Sequence, residues 1–176
     1  VYSNTGGQAS KASNMGQVAQ FAAAGKAIGK KSLAEIAMSY GYVYVAQVAM
    51  GADMNQLMKA LTEAEAYHGP SLIIGYAPCE MHGIKGGMQN CQLEMKRAVD
   101  AGYWLMFRYN PTLESGKLIV DSKEPTTDYT KFIESENRYA RLEASNPARA
   151  AVLFEKAKEN AAAHYQRLLE MRELYE

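Results

Sequence analysis

The stretch Tyr42-Val43-Tyr44-Val45-Ala46-Gln47-Val48 decides the fold. β-Branched and aromatic residues dominate it, which suits a strand buried on both faces. Asp53 or Asn55 then opens a helical pattern carrying Leu57, Met58, Leu61 and Ala64, and Gly69-Pro70 breaks it. Ser71 to Ala77, S-L-I-I-G-Y-A, is a second short apolar strand. Strand, helix, strand in that order is the signature of a parallel sheet covered by helices. The expected class is therefore α/β, with a mainly parallel sheet flanked by helices. Ligands of such sheets collect beyond the carboxyl ends of the strands, and Cys79 lies just past the second of them.

Working outward toward the N-terminus, Ser32 is the expected cap of a short helix with Leu33, Ile36 and Ala37 on one face, ended by Gly41. Further back, Val18, Phe21, Ala22 and Gly25 have helical spacing. Ser13 or Asn14 would cap that helix, and Gly25 or Gly29 would stop it. Lys26, Lys30 and Lys31 then read as a solvated surface at a helix end, where positive charge suits the dipole.

Toward the C-terminus, the Gly-rich connection at 80–91 lacks the spacing and terminal Lys-Ser/Thr pair of a P-loop. Leu93, Met95, Ala98 and Val99 predict a helix stopped by Gly102, and Tyr103 to Tyr109 predicts a third strand. Past Pro111 the character changes: a turn at Glu114-Ser115-Gly116, a short strand at Leu118 to Val120, then helices. Asp128 is the expected cap of one, with Tyr129, Phe132, Ile133, Tyr139 and Leu142 as its stripe. Asn146-Pro147 opens the last, with a cap followed by proline at the first helical position. Phe154, Ala157, Ala161, Tyr165, Leu168 and Tyr175 mark its apolar face. A helix of about 28 residues is roughly 42 Å long and must lay that face on something, another domain or a second subunit. The expected division is residues 1–112 and a mostly helical extension at 113–176.

Nineteen basic and nineteen acidic residues cancel, so no whole-chain field argues for nucleic acid or a membrane surface. No apolar run approaches the length of a membrane helix. Two cysteines, Cys79 and Cys91, make no disulfide framework, and a reducing cytoplasm is the expected compartment. His68, His82 and His164 stand at no spacing that makes a hydrolase motif. Cys79-x-x-His82 supplies two of the four ligands that zinc needs.

The first residues, V-Y-S-N-T-G-G-Q (Val1 to Gln8), carry the chemistry. Small residues let the backbone pass close to a ligand, and successive N–H groups in such a turn form an anion-binding concavity. An ordinary polar turn has the same composition. Likewise Cys79 by itself reads first as a buried inert thiol, since cysteine packs as a small hydrophobe.

V-Y-S-N-T-G-G-Q-A-S-K-A resembles the thiamine-diphosphate segment of pyruvate:ferredoxin oxidoreductases. The likeness continues in F-A-A-A-G-K (Phe21 to Lys26), Y-G-Y-V-Y-V-A (Tyr40 to Ala46), G-P-S-L-I-I-G-Y-A-P-C (Gly69 to Cys79), G-Y-W-L-M-F-R-Y-N-P (Gly102 to Pro111), D-S-K-E-P (Asp121 to Pro125) and S-E-N-R-Y-A (Ser135 to Ala140). The family's polypeptide is far longer, so the resemblance implies a C-terminal piece that begins inside the cofactor site.

The resemblance implies that 1–112 is the C-terminal part of a thiamine-diphosphate-binding fold. It also implies oxidative decarboxylation of pyruvate to acetyl-CoA and CO2, with electrons passed through 4Fe-4S clusters to ferredoxin or flavodoxin. Coenzyme A, Mg2+ and a homodimeric full enzyme belong to the same implication. By the family's pattern, the Val1 backbone carbonyl coordinates Mg2+, Tyr2 and Ser3 line the diphosphate, and Asn4 contacts the reacting centre as a catalytic residue. Cys79 matches the thiolate ligand of the 4Fe-4S cluster nearest the thiamine, and Cys91 matches no ligand position. The family's Gly-Asp-Gly aspartate and a threonine that also bind Mg2+ are absent from this sequence, so the isolated chain is expected to be inactive. The alternatives are the same region of an enzyme for a different 2-oxo acid, or a catalytically silent α/β interaction module.

Overall fold

The computed structural model describes residues 1–78, 84 and 86–176, with Ser3 described by its backbone alone. Cys79 and His82 lie outside the described residues.

Among the described residues, the α-helices and strands after the N-terminal segment are α1 (Leu33–Met38), β1 (Tyr44–Val48), α2 (Met54–Ala66), β2 (Ser71–Gly75), α3 (Cys91–Asp100), β3 (Phe107–Tyr109), β4 (Leu118–Val120), α4 (Tyr129–Glu134), α5 (Asn137–Ser145) and α6 (Pro147–Leu174). The strands form one sheet in the order β2-β1-β3-β4. β1 and β2 are parallel, with Tyr44 opposite Ser71 and Val48 opposite Gly75. β3 runs antiparallel to β1, and β4 antiparallel to β3. The sheet is thus mixed rather than mainly parallel. The apolar pattern of 103–109 marks a buried strand but carries no direction. The connection after α3 brings the chain back beside β1 from the opposite end.

β1 is buried along its whole length, and its alternate residues face different layers. Tyr44, Ala46 and Val48 pack on Ala60, Leu57 and Ala64 of α2. On the other face, Val45 meets Ala34, Ala37 and Met38 of α1, Phe107 and Tyr109 of β3, and Leu168 of α6. A third cluster gathers α3, α4, α5 and the first half of α6 around Trp104, Tyr139, Leu142 and Phe154. The long helix therefore buries its stripe within this chain, Leu153, Phe154 and Ala157 in one cluster and Leu168 in another.

Four helix starts fall where the sequence places them. Ser32 accepts from Glu35 N–H, Asp53 from Asn55 and Gln56, Asp128 from Thr130 and Lys131, and Asn146 from Arg149. The buried faces differ from expectation in two helices. Leu33 and Ile36 of α1, and Met58 and Leu61 of α2, are exposed. Ala34, Ala37 and Ala60 face the sheet instead, and small residues allow these helices to lie close on it.

The predicted helix over 14–25 does not form. The segment folds back on itself, with mutual hydrogen bonds between Ala19 and Ala22 and with Lys26 N–H donating to Gln17 O at 3.0 Å. Gly16, Phe21 and Gly25 all have positive φ, at 85°, 63° and 75°. Such φ values are incompatible with a right-handed helix. Lys26 is accordingly no surface lysine: it is buried, and its ammonium donates to the carbonyls of Lys11 (3.0 Å), Ser13 and Gly29 (3.4 Å). Burial lowers its pKa.

Candidate functional site

The first eight residues close a small loop. Tyr2 N–H donates to Gln8 O at 2.9 Å, and Gly7 N–H donates to Tyr2 O at 2.8 Å. Ser3–Thr5 form a single 3-10 turn. Gly6 and Gly7, at φ 108° and 84°, supply the left-handed backbone that reverses the chain. Gln8 donates its amide to Thr5 O at 2.7 Å and accepts from the Thr5 hydroxyl at 2.7 Å. The loop is then pinned to the folded-back segment, because Gln20 N–H donates to Gly7 O at 3.1 Å and Ala9 N–H to Gln20 O at 3.0 Å.

The structure thus brings Val1, Tyr2, Ser3 and Asn4 together on one turn, with Tyr2 and Asn4 exposed. Such a turn can offer polar groups to one side of a ligand. It does not complete a metal site, because the Val1 carbonyl is one oxygen and Mg2+ takes near-octahedral coordination. Among the described residues, no group of three or more His, Cys, Asp or Glu could hold a metal ion. Cys79, the expected cluster ligand, and His82 are outside the described residues. Cys91 is a half-buried free thiol at the start of α3.

A second concave region has no counterpart in the sequence reading. A cavity of about 470 Å³ lies between the 14–32 segment, Trp104 and α6. Glu35 stands on one wall, 2.9 Å from His164 Nε2 and 3.2 Å from Arg167 Nη2. Contacts with His164, Ser32 and Arg167 hold the Glu35 carboxyl down to about 2, so it is ionised at neutral pH. Lys30 Nζ lies 5.3 Å from the Trp104 ring centroid, a cation–π distance. Five groups from three distant parts of the chain make this cluster, and no local spacing could have announced it.

A third feature is a buried pair of carboxyls. Glu94 of α3 and Glu136, the cap residue of α5, are both almost fully buried and line one cavity with Arg97. Arg97 Nη1 is 3.3 Å from Glu94 Oε2. Burial, and then the hydrogen bond and charge of Glu94, push the Glu136 carboxyl up to about 8.

The fold defines an α/β unit, a helix-covered mixed sheet with an exposed N-terminal turn. No family model matches the chain. Its sequence is homologous to a segment of the pyruvate:ferredoxin and pyruvate-flavodoxin oxidoreductases. It is 54% identical over 176 residues to the pyruvate:ferredoxin oxidoreductase of Moorella thermoacetica, covering 98% of this chain and 15% of that protein. It is 52% identical over 168 residues to the pyruvate-flavodoxin oxidoreductase of Klebsiella pneumoniae, covering 94% of this chain and 14% of that protein. It is also 46% identical over 176 residues to the mitochondrial pyruvate dehydrogenase [NADP(+)] of Euglena gracilis, covering 98% of this chain and 10% of that protein. The chain therefore spans a small fraction of the length of the curated relatives it matches. Among the described residues, no helix is long and apolar enough to cross a membrane.

Proposed function

We propose that this chain serves as the C-terminal part of the thiamine-diphosphate region in a pyruvate:ferredoxin or pyruvate-flavodoxin oxidoreductase. Residues 1–112 are the cofactor-binding part and 113–176 the helical extension. The whole enzyme oxidises pyruvate, transfers the acetyl group to coenzyme A and passes electrons to ferredoxin or flavodoxin. The observation that carries the reading is the 54% identity to a relative of that name, spread over 98% of the chain. The exposed loop at Val1 to Gln8, with its two left-handed glycines, supports it.

In this reading, Tyr2 and Ser3 line the diphosphate, the Val1 carbonyl is one ligand of Mg2+, and Asn4 is the catalytic contact at the reacting carbon. Cys79 supplies one thiolate to a 4Fe-4S cluster, which takes four. Thiamine diphosphate supplies the decarboxylation chemistry when bound. All three cofactor sites need residues outside this chain, so the chain alone is inactive.

The test is a chimera. The matching 168 residues of the Klebsiella pneumoniae enzyme are replaced by this sequence, and pyruvate-dependent flavodoxin reduction is measured with iron and thiamine contents. Activity is expected to persist. Asn4→Ala in that chimera should lower turnover on the order of a hundredfold, the loss typical of one transition-state contact, with a smaller effect on thiamine affinity. Cys79→Ser should remove or alter one cluster, read by iron content and reduced-state EPR, while Cys91→Ser changes neither. A chimera with full iron and thiamine but no flavodoxin reduction would sink the reading, as would unchanged turnover in Asn4→Ala at saturating pyruvate.

A further inference from the structure

The cavity between the 14–32 segment and α6 has an unbalanced set of charges. Glu35 is the only carboxylate among the described residues lining it, and it is already engaged by His164 and Arg167. Lys30 shares the cavity and has no salt-bridge partner among the described residues. Its ammonium has the Ala12 carbonyl at 3.3 Å and the face of Trp104 at 5.3 Å. Much of the Lys30 chain is open to solvent, yet its head sits in crowded surroundings. Desolvation, and then the nearby Lys26 charge, lower its pKa. A cation held partly out of water over an aromatic ring gains most from an added anion.

Beside the polar Asn14, Ser32, Gln47 and Asn160, the lining has an apolar stretch. Ala157 and Tyr129 are buried, and Met15 and Ala161 are packed against the same core. The volume of about 470 Å³ falls within the range of small-molecule sites, which pair apolar walls with a few polar groups.

We propose that this cavity binds a small organic anion, with the Lys30 ammonium meeting its carboxylate or phosphate and the wall of Met15, Tyr129, Ala157 and Ala161 covering an apolar body. The Arg167 guanidinium, 3.2 Å from Glu35, offsets the carboxylate's repulsion of the ligand. With that pair balanced, Lys30 is the uncompensated charge of the lining. Residues 1–8 are not part of this cavity, so the site stands whether or not the N-terminal turn holds a cofactor.

The chain reports on this site by itself, because Trp104 is its single tryptophan. Its fluorescence is followed while the chain is titrated with phenyl phosphate, benzoate, inorganic phosphate and benzyl alcohol. Saturable changes are expected with phenyl phosphate or benzoate, with midpoints below about 5 mM, the weak end of specific affinity. The tighter of these two identifies the anion as phosphate or carboxylate. Lys30→Met should raise that midpoint about tenfold, as loss of one charge-assisted contact does. Lys31→Met should not move it. Lys30→Gln repeats the measurement if Lys30→Met loses helical circular dichroism. The proposal is overturned if neither aromatic anion saturates, if benzyl alcohol or inorganic phosphate binds as tightly, or if the folded Lys30 variant keeps the original midpoint.

Discussion

Arg108 and Asp121 meet fork to fork, with Nε 3.0 Å from Oδ2 and Nη2 2.9 Å from Oδ1. Arg108 is on β3 and Asp121 directly follows β4, so the pair staples the two antiparallel strands. The other guanidinium nitrogen reaches Glu63 of α2, which also accepts from the Tyr44 hydroxyl at 2.9 Å. Gln56 of α2 donates to Asp121 at 2.8 Å. One buried guanidinium thus ties the mixed half of the sheet to the helix that covers β1. Hydrogen bonding to Asp121 raises the Arg108 pKa further still.

Removing a single member strands the others. Arg108→Ala should destabilise the chain by about 3–5 kcal/mol, because Asp121 is left buried without its counter-charge. Arg108→Lys should recover only part of that, since an ammonium cannot make the two parallel bonds. Urea unfolding of both variants checks this, and equal midpoints for Arg108→Ala and the parent chain would contradict it.

Gly25 and Gly29 separate two kinds of glycine within five residues. Gly25 has φ 75°, and a Cβ there would stand 2.6 Å from Leu142 and 3.1 Å from Leu153. A Cβ at Gly29 meets nothing within 4 Å, and no left-handed φ constrains it. Gly25→Ala should cost about 2–4 kcal/mol, combining left-handed strain with overpacking between α5 and α6. Gly29→Ala should be neutral or stabilising by about 0.4–1 kcal/mol, through a less flexible unfolded chain. Thermal unfolding of the two variants should therefore move in different directions or by very different amounts.

These two glycines also show what was legible in the sequence. Both read as stops for a helix over 14–25, since the spacing of Val18, Phe21 and Ala22 is helical. That helix is overridden by distant partners: Val18 N–H donates to Arg138 O at 3.0 Å, and Arg138 Nη1 donates to Val18 O at 2.8 Å. Contacts across 120 residues leave no local trace. The caps at Ser32, Asp53, Asp128 and Asn146 were legible because a cap is a bond between neighbours. Strands β1 and β2 were legible from their apolar β-rich runs, and β3 from its burial, but the antiparallel sense of β3 was not. At the candidate site, the turn at Val1 to Gln8 was legible as a polar turn. The cluster of Lys30, Glu35, Trp104 and His164 was not, because its members come from three separate stretches of chain.

The buried carboxyl pair sets the pH response of the junction between α3 and α5. Glu136 is pushed up to about 8 by burial first, and then by the hydrogen bond and charge of Glu94. Arg97 faces Glu94 at 3.3 Å, and Asp128 and Lys131 line the same cavity. The sign follows from proton counting. Unfolded, Glu136 releases its proton near the ordinary carboxyl value of 4.5, whereas folded it keeps the proton to about pH 8. Between those values the native state binds more protons, so stability falls as pH rises from about 4.5 to about 8. Glu136→Gln keeps the shape and a donor toward Glu94 while removing the titration. The parent chain should lose thermal stability between pH 5 and pH 8.5, and Glu136→Gln should lose less, overtaking the parent at the alkaline end. Asp128→Ala serves as the comparison: the carboxylate of Asp128 is solvent-exposed and bonded to the α4 N–H groups, so the loss of that cap bond should weaken the chain without flattening the alkaline slope. Melting curves of the three proteins at pH 5, 7 and 8.5 decide the matter, and parallel pH profiles for the parent and Glu136→Gln would show that Glu136 carries no shifted proton.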